Sequence, residues 1–261
     1  MILGIAAAAI VIAIGCGLYH AYKALKKEYL KECEITDIAS QVEVTTGKYV
    51  KRGVILDGFG LKNGENLANI DFDARRKELL AKVPNIRSLT ITRIPPGKVS
   101  INVEEREAVA RVNLKGKKRP SGKVVDSDGV VFLRMAGTGM LPTIREAQAP
   151  GVRPGEKLSP RAFAALQLLE TAARREYQSL GIIEVDISPT DYILARLSNY
   201  QSLKILWDGM DEPPTPASKA DLEIRLTHLR DTINSKVTTR AIVWNATERD
   251  RIFADTKEPI L

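Results

Sequence analysis

Residues 2–18 read ILGIAAAAIVIAIGCGL, and none of them is charged. No other stretch restricts the fold so strongly. A run of about 17–25 apolar residues reaches across a bilayer as a helix, because in lipid each backbone N–H and C=O must be satisfied within the segment. Tyr19 and Tyr22 follow it, where interfacial aromatics belong. A cleaved signal peptide would want a basic start and a small-residue cleavage site; only Met1 precedes the run, and no good site follows. A lipoprotein signal ending at Gly15-Cys16 fits less well, since the apolar run continues to Leu18 and Ala13 stands where Leu is usual. The reading is a single uncleaved anchor, spanned by Ile2, Ile10 and Leu18, with 19–33 (YHAYKALKKEYLKEC) as its helical continuation. Lys23, Lys26, Lys27 and Lys31 lie after the anchor and nothing basic lies before it. By charge alone, that puts the bulk of the chain in the cytoplasm.

The rest of the 261 residues is enough for one large domain or two small ones. Hydrophobic content of 44% allows a real core. The net charge is +7, but basic residues interleave with acidic ones. The densest cluster, at 115–123, reads as a solvated hairpin loop, and 5% aromatics argues against stacking platforms for single-stranded nucleic acid.

Hydrophobic periodicity divides the remainder of the chain. Ile38, Val42 and Val44 suit a strand within 35–46. From Asp71, Phe72, Leu79, Leu80 and Val83 share a helical face, and Pro84 ends that helix. Asn85–Arg93 is a strand, Pro95-Pro96-Gly97 a turn, and Val99, Ile101 and Val103 alternate with polar residues in a half-buried antiparallel strand. This is a small α+β unit with helices on one sheet face. A second unit begins with a strand at Ala108–Leu114 and a hairpin over 122–133 turning at Asp126–Gly129. Residues 136–157 read as loops. Ser159-Pro160 opens a helix reaching Gly181. Strands are expected at Ile183–Ile187, Tyr192–Leu197 and Ser202–Trp207, then a loop at 211–218 and an amphipathic helix over Leu222–Ile233. Late strands come at Thr238–Trp244 and Arg251–Ala254.

Chemistry is sparse. Cys16 and Cys33 form no CxxC, and the two histidines, His20 and His228, give no metal-ligand spacing. Asp126 and Asp128 lack the bidentate Glu of a calcium loop. Gly58-Phe59-Gly60 has no following Lys-Ser/Thr. Glu104, Glu105 and Glu107 sit together at a strand end and do not face one another across a cleft. No catalytic residue, cofactor or metal is expected; the pattern points to binding.

The stretch GENLANIDFDARRKELLAKVPNIRSLTITRIPPGKVSINVEEREAVA resembles a POTRA domain, and its motif residues resemble the bacterial division family FtsQ (DivIB in Gram-positives). They are Leu80, Pro84, Ile86, Arg93, Pro96, Ile101, Val103, Glu105, Arg106 and Ala108, followed by VVDSDGVVF, LPTI at 141–144 and LSPRAFAALQLL. The resemblance covers roughly 35–255. It implies an α+β protein: anchor and helical linker at 1–34, POTRA-like domain at 35–107, β-rich domain with flanking helices at 108–255, and a tail at 256–261. It also implies a non-enzymatic inner-membrane scaffold at the division septum, mostly periplasmic, against the charge-based topology. Its POTRA unit would serve recruitment, including by an FtsK-like factor. Its late strands would bind an FtsB–FtsL pair through Thr239, Ala241, Val243 and Trp244 with Arg251, Ile252 and Phe253, by accepting a partner strand. On this reading Trp244 is an interfacial aromatic, Ile242 closes the core, and Trp244→Glu weakens partner binding without unfolding the domain. The alternatives are an envelope secretion or assembly protein built on POTRA units, and an envelope enzyme. The first expects several POTRA units or a barrel, the second a catalytic constellation, and neither is visible.

Overall fold

The computed structural model describes residues 2–113, 122–145, 153–235 and 242–256, with side chains from Ile14 onward. The chain divides into two compact units, Met1–Glu105 and Arg106–Leu261.

In the first unit a long helix α1 (Ile2–Glu32) leads into a one-turn helix α2 (Ile38–Gln41), strand β1 (Val42–Thr45), helix α3 (Arg52–Phe59), helix α4 (Phe72–Lys82) and strands β2 (Ile86–Ile94) and β3 (Lys98–Glu105). Among the described residues no helix is long and apolar enough to cross a membrane; the side chains of the run before Ile14 lie outside them. The strand expected from Ile35 is shorter than its alternation suggested. Asp37 accepts a hydrogen bond from the Ala39 amide and starts a helical turn instead, so Ile38 belongs to α2. Asp71 caps α4 by accepting from the Ala74 amide, and the helix gives way at Val83, just before Pro84.

The three strands are ordered β1-β3-β2, with β1 parallel and β2 antiparallel to β3. Val99, Ile101 and Val103 are buried from the middle strand, among Ile35, Ile55, Phe59, Leu79 and Ile86. Lys98, Asn102 and Glu104 point away and are exposed. Gly60, with φ of 64°, ends α3 in the left-handed conformation that a side chain would resist.

Among the described residues the second unit is a nine-stranded mixed sheet with two α-helices. Its elements are β4 (Ala110–Val112), β5 (Lys123–Val125), β6 (Val131–Leu133), β7 (Thr143–Arg145), α5 (Pro160–Ala172), β8 (Ile182–Asp186), β9 (Ile193–Leu197), β10 (Ser202–Ile205), α6 (Pro216–Asn234), β11 (Val243–Ala246) and β12 (Phe253–Asp255). Their spatial order is β12-β11-β10-β9-β8-β7-β4-β5-β6. Leu166, Leu168, Leu222, Leu226 and Leu229 of the helices share one core with Val185, Ala195, Leu203, Trp207 and Trp244.

Three expectations need correction. Residues 136–157 are not all loop: β7 sits in mid-sheet, parallel to both β4 and β8. Helix α5 ends at Ala172, well short of Gly181. Helix α6 begins at Pro216, where Thr215 accepts from the Ser218 amide, within the span read as a loop. Of the basic cluster, residues 115–121 fall outside the described residues, and Lys123 lies on β5.

Candidate partner-docking edge

A sheet edge offers a row of backbone donors and acceptors, which proteins usually cover or disrupt. The two edges of the nine-stranded sheet are treated differently. At β6 the segment 155–158 runs alongside: the Val131 amide donates to the Glu156 carbonyl at 2.9 Å, and the Gly155 amide to the Val131 carbonyl at 2.7 Å. At the far end, β12 pairs antiparallel with β11 alone, matching Asp255, Ala254 and Phe253 to Val243, Trp244 and Asn245. All three residues of β12 are exposed, and its outer side has no strand among the described residues. Phe253 is 42% exposed. Ile252, just before it, packs part-buried on the core, and Arg251 is exposed.

Helix α6 fixes where this edge lies. Arg225 is 4% exposed, and its Nη1 donates to the carbonyls of Ala246 at 3.2 Å and Thr247 at 3.0 Å, the end of β11. Its Nε donates to Asp221 Oδ2 at 3.0 Å. Arg249, in the connection to β12, approaches Asp221 Oδ1 at 3.2 Å. Burial alone would raise the Asp221 pKa, but the Asp208 amide and the two guanidinium groups outweigh it and hold it below the ordinary carboxylate value. Sequence reading missed this network. The signal was the i,i+4 spacing of Asp221 and Arg225, which on most helices marks a surface pair.

The structure separates the residues expected to meet a partner. Trp244 is 2% exposed, lies in the core, and donates from Nε1 to Gln201 Oε1 at 2.9 Å. It is a packing residue, and Trp244→Glu would bury a charge rather than spare the fold. Val243 is buried as well. Ile242, expected to close the core, is instead 39% exposed. Trp244 lies within β11, opposite core Leu203 of β10, whereas Ile242 stands just before the strand begins. Thr239 and Ala241 lie outside the described residues. Phe253 lies exposed on β12, and just before it Arg251 is exposed while Ile252 is part-buried.

Several POTRA motif residues tie neighbouring segments together. Pro84 follows the end of α4. Arg93 donates to the Ile70 carbonyl at 2.8 Å and stacks over the Phe72 ring at 4.7 Å. The Pro96 carbonyl accepts the Cys33 thiol at 2.9 Å. Glu105 accepts from the amides of Tyr49 at 3.0 Å and Val50 at 2.6 Å, holding the loop that precedes α3. Arg106 bonds to the buried carboxylate of Asp126, which also accepts from the Val130 amide at 2.8 Å within the β5–β6 turn.

The POTRA domain, FtsQ-type, family matches residues 39–106. A cell division protein FtsQ from Koribacter versatilis (strain Ellin345) is 27% identical over 161 residues, which cover 59% of this chain and 43% of that protein. The match thus spans less than half the length of this curated relative. Both findings support the resemblance to the FtsQ/DivIB family drawn from the motifs.

Proposed function

We propose, on the premise that this chain carries an FtsQ-type POTRA domain and is similar to a cell division protein FtsQ, that it is a non-enzymatic scaffold of bacterial cell division. Residues 1–34, with Ile2, Ile10 and Leu18 in the apolar run, anchor it in the inner membrane. The POTRA-like domain at 35–107 serves recruitment, including by an FtsK-like factor. The β domain at 108–255 binds an FtsB/FtsL-like pair outside the cytoplasm, and the assembly gathers at the septum. The observation that supports this reading is the contrast between the two sheet edges: β6 is covered, whereas β12 has no outer strand among the described residues and presents Phe253. A partner strand added there gains main-chain bonds, with alternate side chains giving specificity.

A tagged full-length chain, bearing a C-terminal reporter active only outside the cytoplasm, tests the whole reading. The expected result is a band at the division plane with an active reporter. An even distribution or a silent reporter would sink it. The docking edge has its own test. Phe253→Glu is expected to weaken capture of the organism's FtsB/FtsL-like pair by about tenfold or more, while the melting temperature stays that of the wild type, because the ring is already exposed. Full binding by Phe253→Glu would remove β12 from the interface.

A further inference from the structure

The C-terminal carbonyls of a helix have no partner within it and must find one elsewhere. At the end of α1 the POTRA unit supplies one such partner and packs against another carbonyl. Asn66 Nδ2 donates to the Leu30 carbonyl at 2.5 Å. The Glu32 carbonyl packs so closely on Gly97 that a Cβ there would collide with it. The next residues are paired at once. Glu34 bridges antiparallel to Asn66, the Leu67 amide donates to the Cys33 carbonyl at 2.9 Å, and the Ile35 amide to the Glu65 carbonyl at 2.8 Å. Cys33 and Ile35 are buried, the first with its thiol on Pro96 and the second in the core. Between Glu32 and Ile35 there is no stretch of free chain, and α1 itself runs unbroken from Ile2.

We infer that α1 and the POTRA unit form one rigid body, so that the unit is held at a fixed height and facing above the bilayer rather than tethered. The bilayer part of this inference rests on the anchor reading proposed above. With Tyr22 at the interface, the eleven residues to Cys33 give a stand-off of about 16 Å. The 95–97 turn is the end of the sheet clasped by the helix, and β3 leads away from it to Glu105 over about 23 Å. The unit therefore works as a spacer whose two ends are fixed within it.

Spin labels test this on the full chain in lipid vesicles. They are placed at Lys26→Cys and Thr90→Cys, both exposed, with Cys16→Ser removing the exposed native thiol. The expected result is one narrow distance peak. Three glycines inserted after Lys27 serve as the flexible reference and should broaden it at least about twofold. Gly97→Val, which pries the helix end from the turn, should broaden it as well. A native distribution as broad as the glycine reference, in a chain that floats with the vesicles, would overturn the rigid mount. A chain that does not float would overturn the stand-off and the anchor reading together, and its peak width would still report on the mount.

Discussion

Trp244→Ala is expected to lower the melting temperature of the second unit by about 6–20 °C, the shift that about 3–5 kcal/mol produces in a domain of this size. The cost arises in two parts. The indole loses its transfer free energy from water, and the space it leaves, walled by sheet residues and helix α6, closes only partly. Its Nε1 also leaves Gln201 without one partner. Against a total stability of about 5–15 kcal/mol, such a loss is large. Phe253→Ala, nine residues on and exposed, should melt nearly as the wild type does. Thermal unfolding of the purified full chain separates the two. If both variants melt alike, the assignment of Trp244 to the core and Phe253 to the surface is wrong.

Asp221→Ala should destabilise the same unit by about 3–5 kcal/mol, because it leaves Arg225 buried with its charge uncompensated. The damage should fall first on the connection from β11 to β12, whose carbonyls Arg225 holds. Hydrogen exchange there should quicken more than in β9 and β10. The pair also sets a pH dependence. The folded pKa of Asp221 is lowered, so the unfolded state binds its proton more readily than the folded state does. Its stabilisation is therefore full above the unfolded carboxylate value of about 3.9 and is lost as pH falls through the lower folded value. Melting temperatures measured from neutral pH down to about 3 should converge between wild type and Asp221→Asn. Parallel curves would show that this carboxylate does not couple protonation to folding.

How much of the fold is legible in the sequence depends on how local the cause is. Val99, Ile101 and Val103 alternate without interruption, and the strand they announce is the middle one of the small sheet. Ser159-Pro160 opens α5 as its chemistry dictates, with the Ala162 amide donating to Ser159 Oγ at 3.3 Å. Strand β7 is hidden because it is three residues long with one buried side chain, Ile144. No periodicity can be read from so short a run, and its place comes from neighbours distant in sequence. The burial of Asp221 and Arg225 leaves no local mark, because it depends on the end of β11, whose carbonyls Arg225 holds from 21 and 22 residues away. Trp244 suggests a docking residue because an aromatic in a late strand suits either face; only the register with β10 decides which. The short last strand expected at Arg251–Ala254 is β12, Phe253–Asp255, and the exposure of Phe253 on it comes from its place at the end of the sheet.

The strand order of the large sheet carries a consequence for how the protein is made. Strands β4, β5 and β6 form the first group, and β7 joins the free side of β4. From there β8, β9, β10, β11 and β12 each lie against the strand that precedes them in the chain. A ribosome delivers the N-terminal end first, and domains tend to fold in that order. Each strand after β6 thus emerges to find its template already in place, and none has to wait for a later one. The sheet lengthens in one direction only, like courses of brick laid from one side. Among the described residues, the place beyond β12 is the one that a further strand in this series would occupy, and the partner strand proposed above would extend the same order of addition.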